Sequence, residues 1–114
     1  MAELSKDLVA ASSIPLILTI LKNGESYGYE IINQVKELSG GTLEYPEGTL
    51  YPILRKLEER KLIESFWKIG ENARQRRYYR LREEGKQVLE TEKQNWNLIN
   101  SILTKLWNLS TPSI

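Results

Sequence analysis

The stretch PEGTLYPILRKLEERKLIESFWKIGENARQRRYYRL, residues 46–81, decides the fold, because its hydrophobic periodicity changes partway along. In the first part Leu50, Ile53, Leu54 and Leu57 recur at helical spacing, down to Arg60-Lys61. Pro46 suits the first position of that helix, where the N–H it lacks would have no partner. Two short runs follow, Ile63 to Ile69 and Arg76 to Leu81, rich in aromatic and β-branched residues and separated by the polar, turn-prone residues 70–75. They read as a β-hairpin. Alternation in the second strand puts Arg77, Tyr79 and Leu81 on one face, so Tyr79 and Leu81 are expected to seat the hairpin on the core. Arg76 and Arg80 then face outward.

Upstream, Leu8, Ala11, Ile14, Leu18 and Leu21 mark a helix that stops at Asn23-Gly24, with Pro15 expected to kink or break it near Ala11–Ile14. A second helix is expected from Tyr27 to Ser39. Ser26 would be its N-cap, Ile31, Ile32, Val35 and Leu38 its buried stripe, and Gly40-Gly41 its stop. Downstream, residues 82–109 carry Val88, Leu89, Trp96, Ile99, Ile102, Leu103, Leu106 and Leu109 along one broad stripe. A helix of that length is roughly 40 Å long, against a radius of gyration of ~13 Å for a domain of this size, so it must overhang. An overhanging apolar stripe needs a partner, and a two-fold dimer supplies one. Leu8, Leu89, Trp96, Ile99, Leu103 and Leu106 are the expected interface. Glu92 interrupts a strict heptad, which favours a bundle over a long coiled coil.

The order helix, helix, helix, hairpin, helix is that of a winged helix-turn-helix. The expected architecture is mainly α with a small β-hairpin: a winged domain over residues 1–81, a C-terminal dimerisation helix over 82–109, and a tail over 110–114.

Composition narrows the function. The 114 residues allow one compact domain, and they include no cysteine and no histidine. Thiolate nucleophiles, imidazole bases, disulfides and most transition-metal sites are thereby excluded, and neither an enzyme nor a cofactor is expected. The longest largely apolar stretch, Ala10 to Leu21, is too short to span a bilayer. With Glu3, Lys6 and Asp7 in place of a secretory leader, a cytoplasmic protein is expected.

Net charge is only +1, but it is unevenly placed: −3 over residues 1–45, +5 over 46–82 and −1 over 83–114. The basic middle is the footprint of a phosphate partner. At 100° per residue, the third helix turns Gly48, Pro52, Arg55 and Glu59 away from its apolar face, flanked by Thr49, Tyr51 and Lys56. Glycine and proline there permit close approach to DNA. Arg55 can donate to guanine edges or phosphate, and Thr49 and Tyr51 to phosphate oxygens, with Lys56 beside them. Arg74, Arg76 and Arg77 at the hairpin suit a minor groove or flanking phosphates. Lys6 and Lys36 are supporting candidates. Trp96 lies mid-stripe on the last helix, where two copies could pack as dimer core or leave a flat slot for a planar ligand. Trp67 and Trp107 read as structural, packing the hairpin and the dimer.

Several motifs now stand together: Tyr27-Gly28-Tyr29-Glu30-Ile31-Ile32, the run Gly48 to Glu58, Leu62-Ile63, Arg77-Tyr78-Tyr79-Arg80-Leu81 and Glu84-Gly85. Across residues 4–106 the chain resembles the PadR family of transcriptional regulators, in its short-chain branch. It departs at Lys61, where glycine is common, and at Arg82, where threonine is common. The resemblance implies homodimeric repressors that bind inverted-repeat operators in double-stranded DNA. In some short-chain members it also implies a small-molecule effector between paired tryptophans. Trp96 occupies the matching position, with Leu18 and Asn100 as further candidate ligand-lining residues. Asn100 supplies no carboxylate for a cationic ligand. The competing class is a winged helix that docks an acidic protein without reading DNA sequence.

Overall fold

The structure, a computed structural model, describes residues 4–70 and 72–109. The expected tail 110–114, Glu3 and Glu71 lie outside them. The elements are α1 (Lys6–Lys22), β1 (Ser26–Tyr27), α2 (Gly28–Leu38), α3 (Glu47–Glu59), β2 (Ile63–Ile69), β3 (Gln75–Leu81) and α4 (Glu83–Leu109). The antiparallel sheet has the order β1-β3-β2, and α1, α2 and α3 pack with it around one core.

Ser5 starts α1 by accepting the Leu8 N–H at 3.1 Å. The helix continues through Pro15, so the break expected near Ala11–Ile14 does not occur. Ser12 and Ser13 donate to the carbonyls of Val9 and Ala10 (3.1 and 2.7 Å), which keeps these hydroxyls satisfied along the helix.

Ser26 is not the N-cap of α2. It lies in β1 opposite Tyr79, and its hydroxyl donates to Glu30 Oε1 at 2.6 Å. Tyr27 holds the capping position in extended backbone. A two-residue strand has no period, so the sequence carries no mark of it. Ile31 and Val35 are buried as expected, but Leu38 is 79% exposed, because the last turn of α2 passes beyond the core.

Pro46 is the N-cap of α3 rather than its first helical residue. Leu50, Leu54 and Leu57 are fully buried, with Ile53 packed at the edge. Burial of each such side chain contributes ~1.5–3 kcal/mol. The helix ends in a Schellman turn: Leu62 N–H donates to Leu57 O at 3.0 Å and Lys61 N–H to Glu58 O at 3.0 Å. That turn places Lys61 at φ 61°, in the left-handed region.

β2 and β3 pair from Ile63↔Leu81 to Ile69↔Gln75. Tyr79 enters the core and Leu81 packs against it, as the alternation requires. The other face is not bare. Tyr78 is buried there beneath Tyr27 and Phe66, at ring distances of 5.2 and 6.0 Å. At the start of α4 a Cβ on Gly85 would overlap the Leu62 carbonyl, so glycine lets the helix meet the backbone of the residue before β2.

Leu89 is 1% exposed and belongs to the core. This corrects its expected place on a dimer interface. Beyond it α4 leaves the domain, and the molecule measures 62 × 32 × 21 Å with a radius of gyration of 16.7 Å. Leu98, Ile99, Ile102, Leu103 and Leu106 are all exposed along the projecting half, and Leu8 is exposed on α1. Among the described residues, no helix is long and apolar enough to cross a membrane.

Candidate nucleic-acid interface

Because Leu50, Leu54 and Leu57 anchor one side of α3, the helix must turn Gly48, Thr49, Tyr51, Pro52, Arg55 and Lys56 outward, and all six are exposed. A Cβ at Gly48 would meet nothing within 4 Å, so this face is open down to the backbone. Tyr51 is held by a close fit. Its phenol lies where a side chain at Gly28 would be, so the glycine that opens α2 makes room for the ring.

Between α3 and the hairpin lies a hollow of about 450 Å³. Tyr51, Arg55 and Glu58 line it from α3, Trp67 from β2, and Gln75, Arg76 and Arg77 from β3. The fold thus brings Tyr51, Arg55, Arg76 and Arg77 to one concave surface. Thr49 and Lys56 lie on the other flank of α3, where they line a second hollow of about 760 Å³ with Lys6 of α1. Arg74 is exposed at the hairpin tip and lines neither hollow.

A cation neutralised within the protein has little left for a phosphate, so the ion pairs separate the candidates. Lys36 pairs with Glu44 at 3.3 Å, Arg80 with Glu64 at 2.7 Å, and Arg82 with Glu64 and Glu84 at 3.6 and 3.3 Å. Lys68 pairs with Glu25 and sits 4.6 Å over the Tyr78 ring. The Glu25 carboxylate raises the Lys68 pKa above its ordinary value. Arg77 is also engaged: its Nη2 lies 3.2 Å from Glu58 Oε2 and 2.8 Å from Ser65 Oγ. Among the described residues, Arg55, Lys56, Arg74 and Lys6 make no ion pair. Arg76 stacks 4.5 Å over the Tyr27 ring, a contact that orients the guanidinium without cancelling its charge.

Trp67 is 62% exposed on the wall of the first hollow. This corrects its expected role in packing the hairpin. Gln75 lines the same wall. Alternation along β2, which pairs Trp67 with Arg77 on the Tyr79 face of β3, is the signal that could have marked it.

On α4, Trp96 is half-buried and shares a shallow hollow of about 230 Å³ with Asn95 and Ile99. Asn100 is exposed. Leu18 has no exposed surface and packs inside the core. It is therefore closed to a ligand, which corrects its expected place in a slot.

The model of the PadR-like transcriptional regulator family matches residues 17–91. A PadR family transcription regulator from Clostridium difficile superposes with a TM-score of 0.75 at 35% identity, covering 84% of this chain and 98% of its own. A PadR-like transcriptional regulator from Bacillus cereus gives a TM-score of 0.81 at 27% identity, covering 94% and 100%. The Escherichia coli transcriptional regulator YqjI is 33% identical over 84 residues, 74% of this chain but 39% of its own length.

Proposed function

Since the chain belongs to the PadR-like family of transcriptional regulators, which are non-enzymatic DNA-binding proteins, we propose that it is a homodimeric repressor acting on an inverted-repeat operator in the cytoplasm. The observation that carries this reading is the placement of four cations that make no ion pair among the described residues. Arg55 and Lys56 on α3 and Arg74 and Arg76 on the hairpin lie on the two elements that a winged helix presents to a duplex. α3 enters the major groove, bringing Arg55 to base edges or phosphate and Thr49, Tyr51 and Lys56 to the backbone. The hairpin reaches the flanking groove or phosphates through Arg74 and Arg76.

The winged unit over residues 1–81 and the dimerisation segment over 82–109, which holds α4, divide the work. The exposed stripe of Ile99, Leu103 and Leu106, with Leu8 and the half-buried Trp96, packs against a second copy and sets the separation of the two α3 helices. Paired Trp96 indoles, with Asn100 nearby, form a slot for a planar apolar effector. Its binding favours one separation over another and releases DNA.

The test is a fluorescence-anisotropy titration of the duplex upstream of the chain's own gene against a scrambled duplex, at two salt concentrations. The reading expects a preference for the upstream duplex that persists at the higher salt. Equal, weak binding to both duplexes, lost as salt rises, would contradict it.

A further inference from the structure

We propose that Arg77 is a positioning residue rather than a phosphate contact: with Glu58 and Ser65 it latches the wing to the recognition helix. The proposal rests on the reading of α3 and the hairpin as the DNA interface. Glu58 lines the hollow that faces the duplex, where a carboxylate repels a polyanion and works against binding. Its contacts explain its presence. Ser65 Oγ donates to Glu58 Oε2 at 2.7 Å and accepts from Arg77 Nη2 at 2.8 Å, while Arg77 Nη2 reaches Glu58 Oε2 at 3.2 Å. The three groups close a triangle in which the serine proton and a serine lone pair are both used.

The three residues come from the last turn of α3, the middle of β2 and the middle of β3. Among the described residues, the other ion pairs of the hairpin run to neighbours on the sheet, the β1 side or α4. Arg77–Glu58 is the pair that joins the hairpin to α3. Both members line the same hollow as Arg55 of the helix and Arg76 of the hairpin, so the pair ties together the two elements that must engage one duplex. Holding that geometry before binding removes an ordering cost from the complex.

The experiment compares the full-length chain with Glu58→Gln, Arg77→Gln and the double variant. Duplex binding is measured at several salt concentrations, and hydrogen exchange of hairpin amides is followed in the free proteins. Circular-dichroism melting verifies that each variant folds. Glu58→Gln is expected to weaken binding about three- to tenfold although it removes a negative charge beside the DNA. Arg77→Gln should match it, the double variant should be no worse than either single, and the slope of log affinity against log salt should not change. Hairpin amides should exchange faster in all three.

Tighter binding by Glu58→Gln, or an Arg77→Gln slope shallower by about 0.9, would overturn the proposal and make Arg77 a phosphate ligand. If the unaltered chain binds no duplex, the interface reading fails instead. Hairpin exchange then decides the latch alone, and unchanged exchange in the variants overturns it.

Discussion

Lys61 holds φ 61° at the residue where the Schellman turn of α3 needs a left-handed backbone, and a Cβ there costs about 1 kcal/mol. Lys61→Gly is therefore expected to stabilise the fold by roughly that amount and to raise the melting midpoint by several degrees in calorimetry. A lower midpoint would mean that the lysine side chain compensates elsewhere. The exposed positions of α3 were legible in the sequence, because a 100° projection from three buried leucines leaves Thr49, Tyr51, Arg55 and Lys56 nowhere else to go. The fates of the arginines were not legible. Arg74, Arg76 and Arg77 look alike in a basic run, yet strand register places Arg77 beside Glu58 and Ser65, while Arg74, ahead of β3, makes no ion pair among the described residues. Arg55→Ala is expected to relax discrimination at one base pair by ~1–3 kcal/mol, read by anisotropy across single-substitution duplexes. A uniform loss across those duplexes would assign Arg55 to phosphate.

Among the elements, four helices and the hairpin could be read from periodicity, while β1 could not, since two residues define no period. Its effect is to move Ser26 from a helix cap into the sheet. The junction of α4 with the turn ahead of β2 depends on Gly85, whose missing Cβ admits the Leu62 carbonyl. Gly85→Ala is expected to cost about 2 kcal/mol or more in urea unfolding, because two backbones must separate. An unchanged midpoint would contradict so close a junction. The segment between α2 and α3 and the sheet each bury a tyrosine in the core, Tyr45 and Tyr79, and burial raises both phenols above the ordinary 10.0. The folded state therefore holds these protons more tightly than the unfolded chain. Stability should be fully present below the ordinary tyrosine pKa and fall as pH rises past it. Urea midpoints measured across that range should decline less steeply in Tyr45→Phe; equal slopes would show that Tyr45 does not contribute.

For the whole molecule, α4 is too long for its own domain and its outer half carries an exposed apolar stripe, the face on which the proposed dimer would set the spacing of two α3 helices. The overhang was legible from helix length alone. Which residues stay in the core was not, because Leu89 and Leu103 lie on the same stripe and only the point of departure separates them. Leu103→Glu should convert a dimer to a monomer in sedimentation velocity and abolish the preference for a two-half-site duplex. A monomeric unaltered chain would refute the assembly. The most direct test of the central claim, that the unneutralised cations of α3 and the wing form the DNA interface, compares duplex affinity for Arg55→Ala and Arg74→Ala with that for Lys36→Ala. The account predicts that the first two weaken binding by about tenfold, whereas the ion-paired Lys36 changes little. Unaltered affinity in Arg55→Ala and Arg74→Ala, or an equal loss in all three, would contradict it.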